Sequence, residues 1–181
     1  MKKSVFCFFI INFLIVMMLV SCRAPLQADK MLVYQNESEH DIVLTLGEYK
    51  YPMHLSFSAG RENVPRDGRA TMAGGVLEGV EFEMQSGALK MQVGELEYML
   101  DKSDCDSLYA LFSSFAIKED EFKGVTSEEG SGILEARFDG LYEYTLFLNE
   151  SDYTPVKIMA ETDAGLCTVE FENKESSQKA E

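Results

Sequence analysis

Between residues 31 and 173 most of this chain alternates apolar and polar side chains one by one. A repeat of two puts successive side chains on opposite faces of an extended strand, so each run marks a strand with one buried face. Ile42, Leu44 and Leu46 share a face, and Tyr49, Tyr51, Met53, Leu55 and Phe57 share a longer one. Val80, Phe82 and Met84 alternate with Glu81 and Glu83. Leu89, Met91 and Val93 follow Ser86-Gly87, and Leu96, Tyr98 and Leu100 follow Gly94. Leu134, Ala136 and Phe138 lead to Asp139-Gly140, a hairpin signal, and then to Tyr142, Tyr144, Leu146 and Leu148. Val156, Ile158 and Ala160 precede Asp163-Ala164-Gly165, and Cys167, Val169 and Phe171 close the series. Links this short join antiparallel neighbours, so the pattern predicts a meander.

One segment breaks the rhythm. From Asp104 to about Ile117 the apolar residues fall at Cys105, Leu108, Leu111, Phe112 and Phe115, which is helical spacing. Ser103 stands where an N-cap would, with Asp104 and Asp106 in the first turn. Eight or nine strands about 4.8 Å apart span roughly 40 Å, whereas a helix is only about 10–12 Å across. One amphipathic helix cannot cover so wide a flat sheet. The expected fold is therefore mainly β (α+β): a strongly curved antiparallel sheet, a half-barrel, with the helix packed on its concave face. Any apolar face left open would mark a binding surface.

The N-terminus has a different character. Lys2 and Lys3 precede an apolar run from Ser4 to Val20, and small Ser21 precedes Cys22. That is the layout of a secretory signal peptide, though the run is near the lower limit for a spanning helix. Either reading puts the domain beyond it outside the cytoplasm. Leu19-Val20-Ser21-Cys22 resembles the lipobox of bacterial lipoproteins. The resemblance implies a diacylglyceryl group on the Cys22 sulfur, cleavage before Cys22, and acylation of the new amine, palmitate being a typical chain. Two chains hold a protein to a bilayer stably where one does not. The expected organisation is a signal peptide at 1–21, a lipidated tether at 22–30, one domain at 31–173, and a disordered polar tail at 174–181. Residue 23 is arginine, which in a two-membrane envelope permits passage to the outer membrane; in a single-membrane envelope the protein stays on the outer leaflet.

Loss of residues 1–21 removes two of the 16 basic residues and none of the 31 acidic ones, leaving a net charge of −17. Such a domain repels nucleic acid and anionic lipid heads, so DNA or RNA is not an expected partner. The many glutamates sit opposite the apolar parity of their strands and read as the solvent face. Asp101, Asp104 and Asp106 lack the glycine and terminal glutamate of a calcium loop. The histidines, His40 and His54, are too few for a histidine-rich metal site, and no Ser/His/Asp set or phosphate loop can be assembled. No cofactor or metal is expected, and the chain reads as non-catalytic. Three of its five arginines, Arg61, Arg66 and Arg69, lie in one stretch and form a candidate anion or acidic-partner site. Inward-facing Phe82, Met84, Met91, Tyr98, Tyr142 and Tyr144 are the candidate ligand or partner contacts. Cys105 and Cys167 both fall on apolar parities, and a disulfide between them and two buried free thiols are both open.

The segment "LEGVEFEMQSGALKMQVGELEYMLD", the helix after it, and "GLYEYTLFLNESDYTPVKI" together resemble the LolA/LolB-type domain of lipoprotein carriers. They are also similar to small clostridial lipoproteins of the GerS germination type. The first likeness implies an apolar ligand, such as an acyl chain, on the concave face; the second implies an envelope protein partner, there a cell-wall amidase. A chain held by its own lipid suits a scaffold better than a shuttle, so a protein partner ranks first and carriage or sensing of a lipid second. A cell-wall enzyme comes last, because no acids converge in the sequence.

Overall fold

A computed structural model of the protein describes residues 25–60, 63–127 and 130–172. The signal-like segment, Cys22, Arg61 and the tail from Lys174 lie outside the described residues. The chain begins with helix α1 (Pro25–Met31) and a 3-10 turn (Val33–Asn36). Six strands follow: β1 (Glu39–Leu46), β2 (Tyr49–Phe57), β3 (Gly68–Met72), β4 (Glu81–Gln85), β5 (Ala88–Val93) and β6 (Leu96–Leu100). Helix α2 (Asp106–Ser114) then leads to β7 (Phe122–Ser127), β8 (Ile133–Asp139), β9 (Glu143–Asn149), β10 (Pro155–Thr162) and β11 (Gly165–Phe171).

All eleven strands form one antiparallel sheet in the order β6-β5-β4-β3-β2-β1-β11-β10-β9-β8-β7. The sheet is curved and unclosed, with α2 against it, as the alternation and the width of the sheet require. Each half is a meander of neighbours in sequence, and pairing of β1 with β11 joins the halves. Registers align the apolar parities into continuous rows, such as Ile42 opposite Met53 and Leu44 opposite Val169. Turn chemistry explains the tight reversals. Ser86 and Gly87 both have positive φ (51° and 81°), the pair a two-residue hairpin turn needs.

Because β6 and β7 are the two outer edges, α2 is the crossover that carries the chain across the concave side from one edge to the other. Phe112, Leu111 and Phe115 at and just beyond its C-terminal half are fully buried. The helix starts two residues later than the spacing predicted. Ser103 belongs to a 3-10 turn (Lys102–Asp104), Cys105 takes the N-cap position, and no side chain caps it.

The helix packs its apolar residues against the sheet as expected, and Tyr109, Ala110, Ser113 and Ser114 are buried as well, so it is enclosed on nearly every side. Its C-terminal end is covered by the segment that leads into β1, which begins within the stretch expected as a tether and continues into the expected domain. Ala28, Met31, Leu32 and Tyr34 are buried, and the Tyr34 hydroxyl donates to the Ser114 carbonyl at 2.6 Å. Residues 25–36 are thus a strap across the C-terminal end of α2, and the packed part of the chain reaches back ahead of residue 31.

Candidate binding cleft

Among the described residues of the arginine stretch, Arg66 and Arg69 lie apart. Arg66 is only 4% exposed. Its Nη1 donates to the Gln35 carbonyl at 2.7 Å and its Nη2 to that of Ser58 at 3.2 Å. The guanidinium carbon lies 4.6 Å from the centre of the Phe57 ring. Arg66 therefore clamps the strap to the sheet. Arg69 faces the convex side, 3.2 Å from Glu81 and 3.8 Å from Glu83. Arg61 lies outside the described residues. A guanidinium needs acceptors, and buried loop and strap carbonyls supplied them, which a loop composition cannot reveal.

The six inward candidates separate by depth. Met84, Tyr142 and Tyr144 are core residues. The Tyr142 hydroxyl donates to Asp106 Oδ1 at 2.5 Å, and Asp106 Oδ2 accepts the Asp163 amide at 2.9 Å. Burial, then the bond to Asp106, pushes the Tyr142 hydroxyl up from its ordinary value. Tyr144 is pushed up mainly by burial. Both hydroxyls stay protonated and fix α2 in place. Phe82, Met91 and Tyr98 lie side by side in one row running to the β6 edge. Phe82 and Met91 are half-buried, whereas Tyr98 is 46% exposed. Parity assigned their face correctly; the edge position of β6 decided their exposure.

Cys105 and Cys167 are free thiols. The Cys167 Sγ lies 3.7 Å from the Ser107 carbonyl, which it meets as a donor, and Cys105 occupies the N-cap position of the same helix. Burial, with a contribution from Asp106, pushes the Cys167 thiol up to about 12. Cys105 is raised as well, first by burial and then by Asp104. A thiol held protonated is a poor nucleophile and a poor metal ligand. The expected outward acids do face solvent, many of them paired with bases, and His54 meets Asp41 at 2.8 Å on the surface. His40 is buried among Phe57, Phe115 and Phe171.

An apolar opening remains beside the N-terminus of α2. A cleft of about 700 Å³ is lined by Leu46 and Gly47, Phe82, Asp104 to Leu108, and Ala164 to Leu166. It sits where the β1–β2 and β10–β11 turns meet the start of the helix. Of the sequence candidates it includes Phe82 and Cys105. Leu46 had the inward parity but no distinguishing mark. Leu166, 49% exposed, breaks the parity of β11 immediately after its turn. That misplaced leucine was the available signal.

The architecture is similar to several solved proteins. With a LolA-superfamily protein from Nitrosomonas europaea the identity is 11% and the TM-score 0.47, over 83% of this chain and 91% of that one. With lipoprotein LppX of Mycobacterium tuberculosis the values are 9% and 0.43, over 83% and 94%. With MucB they are 13% and 0.43, over 80% of this chain and 57% of MucB. These likenesses are distant in sequence and loose in superposition. No family model matches the chain, and no curated protein matches it in sequence.

Proposed function

We propose that the protein is a non-catalytic binding module of the cell envelope. It is held outside the cytoplasm by lipid on Cys22 and engages an envelope protein at the cleft beside α2. The observation that carries this reading is how the concave face is filled. Helix α2 and the strap occupy its centre and one end, and the cleft is an open-sided apolar site at the other end. An open site lined by leucine and phenylalanine suits protruding side chains of a protein segment. Its volume also falls in the range of small-molecule pockets, about 300–1,000 Å³, which supports an acyl chain or similar apolar ligand as the second reading.

The test is site-specific photo-cross-linking in the intact lipoprotein. A cross-linker at Leu166 is expected to capture one envelope protein repeatedly, and one at Lys50 on the convex side is not. Lack of any such adduct, together with a lipid co-purifying in native mass spectrometry, would replace the first reading by the second. For the anchor, Cys22→Ala is expected to release the mature chain from membranes; full retention of a processed Cys22→Ala chain would refute lipid attachment.

A further inference from the structure

The acids of this domain are not all treated alike. Several acids on the convex face are paired within the chain: Arg69 with Glu81 and Glu83, Lys90 with Glu97, Lys50 with Glu170, and Lys123 with Asp139. Around the cleft they are not. Glu48 follows Gly47, Asp104 lines the opening, and Asp163 precedes Ala164. Asp101 and Glu161 stand close by in sequence, and all five are exposed. None of them forms an ion pair among the described residues. Lys102 is the only base in the segments 46–48, 101–108 and 161–166, and its ammonium lies 5.2 Å from the centre of the Tyr142 ring. An apolar floor is thus framed by uncompensated negative charge.

Position adds a second constraint. The strap lies at the start of β1, where Tyr34 meets Phe115 and Phe171, whereas the cleft opens at the far end of β1, at Leu46 and Gly47. Eight extended residues separate the two ends by about 24 Å. Three peptide steps separate Cys22 from Pro25, a reach of at most about 11 Å, so a lipid there would draw the strap end towards the membrane. Lipid tails of the anchoring membrane would lie at the strap end, and anionic head groups would be repelled by the acids at the other.

We infer that the cleft takes a basic, apolar segment of another polypeptide. Leucine-like side chains seat among Leu46, Phe82, Leu108 and Leu166, and flanking lysines or arginines meet Glu48, Asp104 and Asp163. The inference rests on the reading that the cleft binds a protein, and it specifies the chemistry of the partner.

The experiment uses the full lipidated chain in zwitterionic nanodiscs and fluorescent twelve-residue peptides alternating leucine with lysine, serine or glutamate, with empty nanodiscs as blank. The leucine–lysine peptide is expected to bind most tightly. A combined Glu48→Gln, Asp104→Asn and Asp163→Asn variant is expected to weaken it about tenfold, the effect of three exposed ion pairs lost together. The leucine–serine peptide should be unaffected by that variant. Leu166→Ser is expected to weaken both. As a control, Glu119→Gln, Asp120→Asn and Glu172→Gln at the strap end should leave binding unchanged. Equal loss in the control, or equal binding of the leucine–glutamate peptide, would overturn the charge argument while leaving a protein-binding cleft in place. If no peptide bound in a circular-dichroism-verified fold, this inference would fail outright, and the cross-linking at Leu166 would decide the broader reading separately.

Discussion

The Arg66 clamp makes a quantitative prediction. In Arg66→Ala the Gln35 and Ser58 carbonyls lose their charged donor, and the ring of Phe57 loses the group stacked on it. Two hydrogen bonds from a charged group are worth about 1.5 kcal/mol each at the low end of their range. The ring contact adds about 0.5–1 kcal/mol. Relief from holding a buried charge offsets part of this. The expected net loss is about 3 kcal/mol, which for a domain of this size lowers Tm by about 6–12 °C. The loss should be localised. Hydrogen exchange by mass spectrometry is expected to show Leu32 to Glu37 opening early while β8 to β10 keep their protection. Arg66→Met, which keeps the stem over Phe57 but not the forked donor, should lose nearly as much. A Tm within about 2 °C of the parent, with the strap still protected, would refute the idea that Arg66 holds the N-terminal segment.

Three further outcomes are expected from the same geometry. Gly68→Ala would place a Cβ 2.6 Å from the Ser56 carbonyl oxygen and 2.7 Å from Phe57 Cδ1, so a loss of about 1–3 kcal/mol in urea unfolding is expected. Tyr142→Phe deprives the buried Asp106 of its 2.5 Å donor and should cost about 1–3 kcal/mol; a double-mutant cycle with Asp106→Asn should show strong coupling, and additive losses would count against the bond. Stability should also fall in alkali. The Cys167 thiol, ordinarily near 9.0, is pushed up to about 12 in the fold, so the protonated native thiol is favoured below about pH 9 and that contribution is lost as pH rises towards 12. Urea midpoints from pH 8 to 11 should decline, and Cys167→Ala should flatten the first part of the decline, leaving the later part due to Tyr142 and Tyr144.

The strands were legible because each buries one face, and a repeat of two survives in the sequence whatever the tertiary context. The rows that pair Leu44 with Val169 or Phe82 with Met91 need only that parity. Depth was not legible. Met84 and Tyr98 share a face, yet one is core and the other half in water, because exposure depends on how many strands stand between a residue and the edge. The strap was missed for a related reason: a seven-residue helix opened by a proline carries too few apolar positions to show a period. Without the strap, α2 looked one-sided. Arg66 was misassigned because burial of a guanidinium depends on carbonyls supplied from elsewhere in the chain. Of the residues lining the cleft, Phe82 was named as a candidate contact and Cys105 only as half of a possible disulfide, while Leu166 carried a readable mark in its break with parity.

The seam between β1 and β11 sets the order in which this molecule can be completed. Each half of the sheet is a run of hairpins between neighbours, but the halves meet only through the first strand and the last. Contacts so far apart in sequence form slowly, after local ones. A chain emerging N-terminus first therefore leaves one edge of β1, and the part of α2 that packs on β10 and β11, without partners until the last strands have followed. The same delay leaves a long interval in which the β1 edge is open to wrong pairings, so folding yield should depend more on the last strand than on any other.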